Sequence, residues 1–406
     1  METKHIVIVG GGFSGIELAR NLKNQIKSGL YKVTLISNHG YFEYYPGVYR
    51  IMIGESPIQT KIHLKDILPS CVQIIEDTIS SIDPINKKII SKNNQEYPYD
   101  KLVLSLGSVT NYFNIQGLEK GVFNFRSTGD AVMLRNHLHS LLLEAKNNGI
   151  KDEKILMHNL HIIIGGAGPV GVELAGALSS YMKNMAQKNN VHPSKVTIDL
   201  IDSGPRILPR VPEKASMFVT KYLRENGINL FSNRPVQKIE NETVFLEDVT
   251  LKAKTIIWAG GIKPNPLYQT IPNIKTEKGK VVVDEYMQAV DLPDIYIAGD
   301  GANTENSGLA QTAIHDGHYL AKLFKSMAKN DKNLPKYTKA NTGYVIPIGS
   351  NWALMIWGSF IWSGFWPGVI RYFIDMDYFL KRLSILKFLS LYFKAFKYRR
   401  HKYIEL

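Results

Sequence analysis

Apolar, β-branched runs alternate along this chain with longer stretches whose apolar positions recur every three or four residues. The first run is Ile6-Val7-Ile8-Val9, and the helical pattern that follows it extends from Ile16 to Leu22. Strands that alternate with amphipathic helices predict an α/β fold built on parallel sheets. The further predicted strands lie at 32–36, 72–75, 88–90, 99–107, 162–164, 195–201, 255–258 and 295–297, and the longest predicted helices at 130–146, 172–188 and 310–325.

A glycine motif joins the first strand to the first helix. Its first glycine, Gly10, permits a tight turn, Gly12 lets the backbone approach a pyrophosphate, and Gly15 lets the helix pack closely on the strand. The helix N-terminus also offers free N–H groups to the phosphates. We therefore expect a dinucleotide here, with Ser14 of the same motif among its contacts.

The same motif occurs a second time. Gly166, Gly168 and Gly171 follow the apolar run 162–164 and precede another helical pattern. For either copy alone, a glycine turn in an ordinary strand–helix unit is the alternative interpretation. Two copies in one chain favour two Rossmann-like domains that bind two dinucleotides.

The copies differ at the position, about 20 residues past the glycines, where such a unit places an acid for the adenosine ribose. After the second copy this acid is Asp202, which would repel the 2′-phosphate of NADPH and so favours NADH, although Arg206 nearby is a residue type that accommodates that phosphate. After the first copy the acid is missing. Ser37 stands there, and Asn38 either supplies a neutral hydrogen bond or only forms a turn.

Three more residues at predicted strand ends are candidate cofactor contacts. Gly107 and Gly260 each end a buried strand, where a glycine permits close approach of a cofactor. Asp300 follows the strand 295–297 and either binds a cofactor hydroxyl or caps that region.

Composition narrows the classes of protein. A chain of 406 residues is too long for one core and fits two or three domains. Its single cysteine, Cys71, excludes an intramolecular disulfide, a redox dithiol and a cysteine metal cluster, and no metal site is predicted. The first strand begins so close to Met1 that no signal peptide is expected, which favours the cytoplasm.

Much of the net charge of +13 lies near the C-terminus. Residues 371–406 hold nine basic and three acidic side chains among aromatic residues and leucines, which favours an anionic membrane surface over nucleic acid. Residues 340–370 carry no formal charge, but prolines and glycines interrupt them. Strands and turns are therefore expected there rather than a membrane-spanning helix.

The last segment has the periodicity of an amphipathic helix with a lysine-rich face opposite an apolar one. The predicted apolar face consists of Ile385, Phe388, Leu389, Tyr392 and Phe396. A stripe of this kind most often packs into a core. The basic opposite face and the aromatic side chains instead favour a helix that lies in the membrane interface.

These features together resemble the type II NADH dehydrogenases, single-subunit flavoenzymes that pass electrons from NADH to a membrane quinone without pumping protons. The resemblance covers nearly the whole chain. Besides the two glycine motifs, it rests on Thr110-Asn111-Tyr112-Phe113, Leu134-Arg135-Asn136-His137, Trp258-Ala259-Gly260-Gly261, Gly299-Asp300 and Ala310-Gln311-Thr312-Ala313.

The resemblance implies a peripheral enzyme on the cytoplasmic side of the cell membrane, with FAD and NADH in separate domains. It assigns FAD to Gly10, Gly12, Gly15 and Asp300, and NADH to Gly166, Gly168, Gly171, Glu173 and Asp202. The expected domains are 1–112 with 281–340 for FAD, 113–280 for NADH, and 341–406 for membrane association. A homodimer is left open.

Three residues are candidates for catalytic roles. The resemblance implies that Gln311 lies beside the flavin at the quinone pocket, and the family motif Ala-Gln-x-Ala-x-Gln ends here in His315. On a helix these two side chains share a face, so His315 either delivers a proton to the quinone, donates a hydrogen bond to it, or only packs. Glu173 positions the nicotinamide or handles protons, unless it is a surface glutamate stabilised by the helix dipole.

Three other functions are compatible with the sequence. A sulfide:quinone oxidoreductase shares the scaffold but needs paired cysteines, and Cys71 stands alone. A membrane quinone reductase of the apoptosis-inducing-factor-like group would prefer NADPH. A non-enzymatic nucleotide sensor docked on membranes would keep both glycine motifs and show no quinone turnover.

Overall fold

The computed structural model describes residues 2–147, 152–340, 343–349 and 352–402. The chain divides into two compact units, each with its own parallel sheet. Unit 1 consists of Met1–Glu43, Lys61–Val109 and Ile262–Thr342, and unit 2 of Tyr44–Thr60, Thr110–Gly261 and Gly343–Leu406.

Unit 1 is organised around a five-stranded sheet in which all neighbouring strands are parallel. From edge to edge its strands are Ile295–Ile297, Lys101–Leu104, Lys4–Val9, Tyr31–Ser37 and Gln73–Glu76. The sequences of these strands are mostly apolar because both faces of a parallel sheet are covered by other elements. The strand that leads into the first glycine motif lies in the middle, as expected of a Rossmann unit.

Helices and smaller sheets complete unit 1. Its helices are Phe13–Asn21, Lys23–Lys27, Leu64–Ile67 and Ala310–Ala328, with 3-10 turns at Pro266–Thr270 and Gly299–Gly301. Its further strands are Tyr41–Glu43, Lys61–His63, Ile79–Asp83, Lys88–Ser91, Glu96–Pro98, Ile262–Pro264, Thr276–Glu277 and Lys280–Val281. The strand Ser108–Thr110 contains the point where the chain passes from unit 1 to unit 2.

Unit 2 is built in the same way around a second five-stranded parallel sheet. From edge to edge its strands are Phe123–Asn124, Thr255–Trp258, His161–Gly165, Thr197–Ile201 and Ile228–Phe231. The strand before the second glycine motif is again central. The predicted α/β fold with two Rossmann-like sheets is therefore confirmed.

The helices of unit 2 surround its sheet and continue into the C-terminal segment. They are Tyr49–Met52, Leu118–Gly121, Thr128–Asn147, Glu153–Asn159, Pro169–Lys188, Glu213–Glu225, Phe365–Leu380 and Ile385–Lys402, with 3-10 turns at Tyr45–Gly47, Pro57–Thr60 and Pro193–Lys195. The further strands are Lys238–Glu240, Thr243–Phe245, Thr250–Lys252, Tyr344–Pro347, Ala353–Trp357 and Phe360–Gly364.

The units differ from the predicted domains at three places. The segment Tyr44–Thr60 belongs to unit 2, because its apolar side chains join the core of that unit. Residues 262–280 belong to unit 1, where the fully buried Tyr268 donates a hydrogen bond to the Leu104 carbonyl at 3.3 Å. Residues 343–402 are part of unit 2 because their strands bury apolar side chains in the same core.

In the described part of the uncharged segment 340–370, the strands Tyr344–Pro347, Ala353–Trp357 and Phe360–Gly364 are present as predicted, but residues 365–370 begin the helix Phe365–Leu380, which was not predicted. The predicted C-terminal helix is present. The predicted apolar face of that helix is wrong in part. Phe388 is buried and Tyr392 partly buried, because the helix packs on the turn Pro57–Thr60. Leu386 and Phe393, which the prediction left out, are exposed.

None of the helices within the described ranges combines the length and the apolar character that crossing a bilayer requires.

Candidate dinucleotide sites

The first glycine motif leaves an open space at one glycine and tight packing at the other two. Gly10 has φ +116°, and a Cβ built on it would lie 2.1 Å from the Ser105 carbonyl oxygen. A Cβ on Gly15 would lie 2.1 Å from the Gly10 carbonyl oxygen, so helix and strand touch through glycine. A Cβ on Gly12 would meet no protein atom within 4 Å. The open position is the one at which a pyrophosphate approaches the backbone.

The second motif repeats this arrangement. Gly166 has φ +102°, and a Cβ on it would lie 2.3 Å from Gly260 Cα. A Cβ on Gly171 would lie 1.8 Å from the Gly166 carbonyl oxygen, whereas one on Gly168 would meet nothing within 4 Å. Each motif therefore forms a backbone cradle that a side chain would fill.

Both cradles open onto a helix N-terminus without a side-chain cap. Gly12 and Gly168 are the N-cap residues of Phe13–Asn21 and Pro169–Lys188, and neither helix has an acidic residue in its first turn. Uncapped N–H groups and the positive end of the helix dipole favour an anion at these positions. The residues present thus fit a dinucleotide pyrophosphate in each unit.

Asp202 lies at the end of the strand that follows the second motif and is held against the motif itself. Its Oδ2 accepts a hydrogen bond from the Ala167 N–H at 2.6 Å and its Oδ1 one from the Gly204 N–H at 2.7 Å. Each carboxylate oxygen retains a second lone pair for a ligand hydroxyl. Arg206 donates instead to three backbone carbonyl oxygens, those of Leu208, Pro209 and Val211. Its guanidinium is therefore engaged in holding the loop.

In unit 1 the corresponding position has no acid. Ser37 is buried against the motif, and a Cβ built on Gly11 would lie 2.8 Å from its Oγ. Asn38, the predicted neutral hydrogen-bond donor, is exposed.

The first cradle brings together several of the predicted FAD residues. Asp300 follows the edge strand, and its Oδ2 accepts a hydrogen bond from the Ser108 hydroxyl at 2.5 Å. A Cβ on Gly299, which has φ +75°, would lie 3.2 Å from Ser14 Oγ. Gly107 has φ +67° and faces open space. The sequence analysis did not predict that Ser108 contacts Asp300. The available signal was that Ser108 directly follows Gly107, a predicted cofactor contact.

Gly260 serves the packing of the second cradle. A Cβ at this position would lie 2.3 Å from the Trp258 ring. The indole N–H of Trp258 donates to the Asn111 carbonyl at 2.8 Å, which holds the ring in place. Gly260 therefore lets the Gly166 turn and the Trp258 ring approach each other, while its predicted contact with a cofactor stays a prediction.

Gln311 and His315 share one face of the helix Ala310–Ala328, as expected, and Gln311 is exposed in its first turn. The His315 Nε2 lies 2.8 Å from the Thr338 carbonyl oxygen. Because a carbonyl only accepts, Nε2 carries the hydrogen, and Nδ1 is the ring nitrogen left to exchange a proton with a ligand.

The residue after His315 was missed by the sequence analysis. Asp316 is fully buried and accepts hydrogen bonds from the Gly299 N–H at 2.9 Å and the Tyr337 hydroxyl at 2.8 Å. Burial raises its pKa to about 6, against the opposing effect of these two donors. Asp316 thereby fixes the turn that presents Asp300.

Glu173 is the fifth residue of the helix Pro169–Lys188 and lies near the buried charges of Arg371 and Asp375 in unit 2. Its removal from water raises its pKa to about 8, while the positive charge of Arg371 opposes the shift and Asp375 adds to it. Such a carboxyl is mostly protonated at neutral pH. Glu173 is partly exposed, and its raised pKa distinguishes it from an ordinary surface glutamate, while its role at the nicotinamide stays a prediction.

The buried charges near Glu173 form a network that the sequence analysis missed. The Asp375 carboxylate pairs with Arg50 at 2.6 Å and also contacts the Arg371 guanidinium and the Tyr44 hydroxyl. Arg50 also lies over the Tyr372 ring, 4.2 Å from its centroid. One signal was available, since an Arg and an Asp four residues apart interrupt an otherwise apolar helical pattern.

Comparison with known proteins supports this picture. The family model of the pyridine nucleotide-disulphide oxidoreductases matches residues 4–317. The type II NADH:quinone oxidoreductases of Staphylococcus saprophyticus and Staphylococcus aureus are each 24% identical to the chain over 365 residues, covering 86% of this chain and 89% of theirs.

Two solved structures share the fold. NDH2 from Plasmodium falciparum in complex with NADH superposes with a TM-score of 0.86 at 18% identity, covering 97% of this chain and 98% of that one. The sulfide:quinone oxidoreductase of Aquifex aeolicus superposes with a TM-score of 0.77 at 19% identity, covering 93% and 91%. With a family model matched over more than three quarters of its length, the chain belongs to the pyridine nucleotide-disulphide oxidoreductase family.

Proposed function

We propose that this protein is an NADH:quinone oxidoreductase of the type II NADH dehydrogenase kind, with FAD in unit 1 and NADH in unit 2. The observation that carries the proposal is the pair of glycine cradles, each open at its middle glycine and each facing an uncapped helix N-terminus. The similar proteins of the two Staphylococcus species are named type II NADH:quinone oxidoreductases, which also supports the proposal.

The protein supplies binding and orientation, and the bound flavin supplies the redox chemistry between NADH and the quinone. Gly10, Gly12 and Gly15 shape the first cradle, and Asp300 offers a carboxylate to a cofactor hydroxyl. Gly166, Gly168 and Gly171 shape the second cradle, and Asp202 offers its remaining lone pairs to the adenosine ribose of NADH.

The test of this function is the absorption spectrum of the purified protein, followed by NADH oxidation with and without a soluble quinone. We expect bound FAD, and NADH oxidation that depends on added quinone. Bound flavin without quinone-dependent turnover would favour the nucleotide sensor, and a preference for NADPH would favour the apoptosis-inducing-factor-like reductase. Activity with sulfide is not expected, because Cys71 has no partner cysteine in the sequence.

Asp202→Ala is expected to raise the KM for NADH about tenfold and to narrow the preference over NADPH, because a charged hydrogen-bond acceptor for the ribose is lost. Steady-state kinetics with both nucleotides measure this. The control is Asp248→Ala, which removes an exposed carboxylate of the same unit. An unchanged ratio of kcat/KM for the two nucleotides would remove Asp202 from the role.

Glu173 holds a proton at neutral pH, at the start of the helix that carries the second cradle. A neutral carboxyl there avoids repulsion of the negatively charged NADH. Its folded pKa lies above its unfolded value, so the stability from its neutral form is full below the unfolded pKa and is lost as pH rises through about 8.

Above the pKa of Glu173, the activity of the wild type should fall about tenfold per pH unit. Glu173→Gln is expected to keep its activity near pH 7 and to show no such decline. The amide is uncharged at every pH. The stability of the variant relative to wild type should increase between pH 5 and 8, as measured by thermal unfolding. A pH profile that the substitution leaves unchanged would contradict a role for the Glu173 proton.

We place the quinone beside Gln311 and His315. The exposed Gln311 amide supplies a hydrogen bond to a quinone oxygen, and His315 delivers a proton from Nδ1 while Nε2 stays anchored to the Thr338 carbonyl. The substitution of His315 would therefore slow reoxidation by quinone more than reduction by NADH.

The C-terminal part of unit 2 docks on an anionic lipid surface, in this proposal from the cytoplasmic side. Its large exposed apolar side chains, most of them aromatic, define an apolar surface that consists of Trp357, Phe360, Phe365, Trp366, Phe373, Leu386, Leu389, Phe393 and Phe396. Lys387, Lys394 and Lys397 on the same final helix are also exposed. Aromatic and basic side chains together suit the interface between headgroups and acyl chains.

The double substitution Leu389→Glu with Phe393→Glu is expected to release the protein from anionic vesicles and to leave its thermal unfolding nearly unchanged. These side chains are 56% and 68% exposed, so little packing is lost. Co-sedimentation with vesicles measures the release. Ser390→Glu is the matched control, because it adds negative charge to the same helix without removing an apolar side chain. Equal release by the control would assign binding to charge alone.

A further inference from the structure

The acid that the first glycine motif lacks can be located by comparing the strand registers of the two units. The Gly10 N–H donates to the Ile36 carbonyl at 2.8 Å, and the Gly166 N–H donates to the Ile201 carbonyl at 2.7 Å. Ile36 and Ile201 are therefore equivalent positions. The residues that follow them, Ser37 and Asp202, are equivalent as well.

The neighbouring strands extend the comparison by one position. Ile36 is paired with Ile75 in unit 1, and Ile201 is paired with Phe231 in unit 2. The residues that follow these partners are Glu76 and Ser232. In unit 2 the acid, Asp202, follows the strand next to the motif, and Ser232 follows the strand beyond it. In unit 1 the order is reversed: Ser37 is at the first position and Glu76 at the second.

The geometry of unit 1 is consistent with an exchange of the two roles. Ser37 and Glu76 are paired in register, so their side chains leave the sheet on the same face, about 4.8 Å apart. Ser37 lies against the motif at Gly11. The Glu76 carboxylate lies against Gly40 in the loop that follows Ser37, since a Cβ built on Gly40 would lie 2.7 Å from Glu76 Oε2.

The Glu76 carboxylate is available to a ligand. The side chain is exposed, and within the described ranges of the chain the carboxylate has neither an ion pair nor a hydrogen bond. The carboxyl ends of parallel strands form the edge of the sheet at which such folds bind their ligands, and Glu76 lies at that edge.

We infer that Glu76 accepts hydrogen bonds from the adenosine ribose of the dinucleotide in unit 1, where Ser37 stands at the position equivalent to Asp202 of unit 2. This inference rests on the proposed function in taking that dinucleotide to be FAD. It assigns Glu76 to the adenosine half of the cofactor and gives it no contact with the flavin half.

The test compares wild type with Glu76→Gln and Glu76→Ala in the full-length chain. FAD release from the purified holoprotein is followed by flavin fluorescence after dilution, and the flavin-free protein is then titrated with FAD and with FMN. FMN has no adenosine ribose, so it reports on the flavin half alone. Glu96→Gln, an exposed glutamate on another strand of unit 1, is the matched control.

We expect both substitutions at Glu76 to weaken FAD binding, with Glu76→Ala weakening it about tenfold or more, as for the loss of hydrogen bonds to a charged group. FMN binding should stay as in wild type, and Glu96→Gln should bind both flavins normally. Unchanged FAD affinity, or equal weakening for FAD and FMN, would overturn the inference. A wild-type protein that binds no FAD would instead contradict the proposed function.

Discussion

Asp375→Ala is expected to lower the free energy of unfolding by about 3 to 5 kcal/mol, the cost of leaving buried charges without their partner. Asp375 is 1% exposed, and Arg50 and Arg371, which share its carboxylate, are each 8% exposed. Both arginines make ion pairs with Asp375, and the charge of Glu55 also acts on Arg50. Burial without a counter-charge is far more costly for these guanidinium groups than for a neutral side chain.

Urea unfolding of the purified protein measures this effect. Asp377→Ala is the control, because Asp377 lies on the same helix and pairs with Lys381, with both side chains more than half exposed. An exposed pair of this kind contributes about 1 kcal/mol or less. If both variants lost the same small amount of stability, the buried network would not be a major stabilising element of unit 2.

Gly168→Val is expected to give a folded protein that retains its flavin and has lost most of its affinity for NADH. Gly168 has φ −71°, which any residue adopts, and its Cβ would point into the open space of the second cradle. The isopropyl group then occupies the place of the pyrophosphate. A steric cost of about 1–3 kcal/mol corresponds to an increase of about five- to 150-fold in the KM for NADH.

Gly12→Val is the reciprocal control. Gly12 also has an ordinary φ, −86°, and an open Cβ direction, so this variant should fold and bind NADH but purify with little flavin. Fluorescence of bound flavin and quenching titrations with NADH separate the two outcomes. Loss of both ligands in both variants would indicate a folding defect and contradict the assignment of one cradle to each ligand.

Much of the fold follows from local sequence. In each glycine motif the first glycine has a positive φ, and the last leaves no space for a Cβ. These requirements lie within six residues, so the motif determines its own conformation. It thereby also predicts the strand before it and the helix after it. Asp202 follows the mostly buried strand Thr197–Ile201, and its distance from the motif is set by one helix and one turn. The cradles and the position of Asp202 at the end of its strand were therefore predictable from the chain alone.

Tertiary structure alone determined the features that depend on strand pairing and helix packing. Ser37 and Glu76 are 39 residues apart and meet only through the register of two parallel strands, which no local pattern encodes. Similarly, the charges of Arg50 and Asp375 come together only where the C-terminal helices pack within unit 2.

The apolar face of the last helix shows the same limit. The sequence determined that Ile385–Lys402 is helical and amphipathic, because periodicity of 3.6 residues is a local property. It did not determine that Phe388 is buried while Phe393 remains exposed. That choice depends on which side of the helix meets the turn Pro57–Thr60, a segment more than 300 residues earlier in the chain.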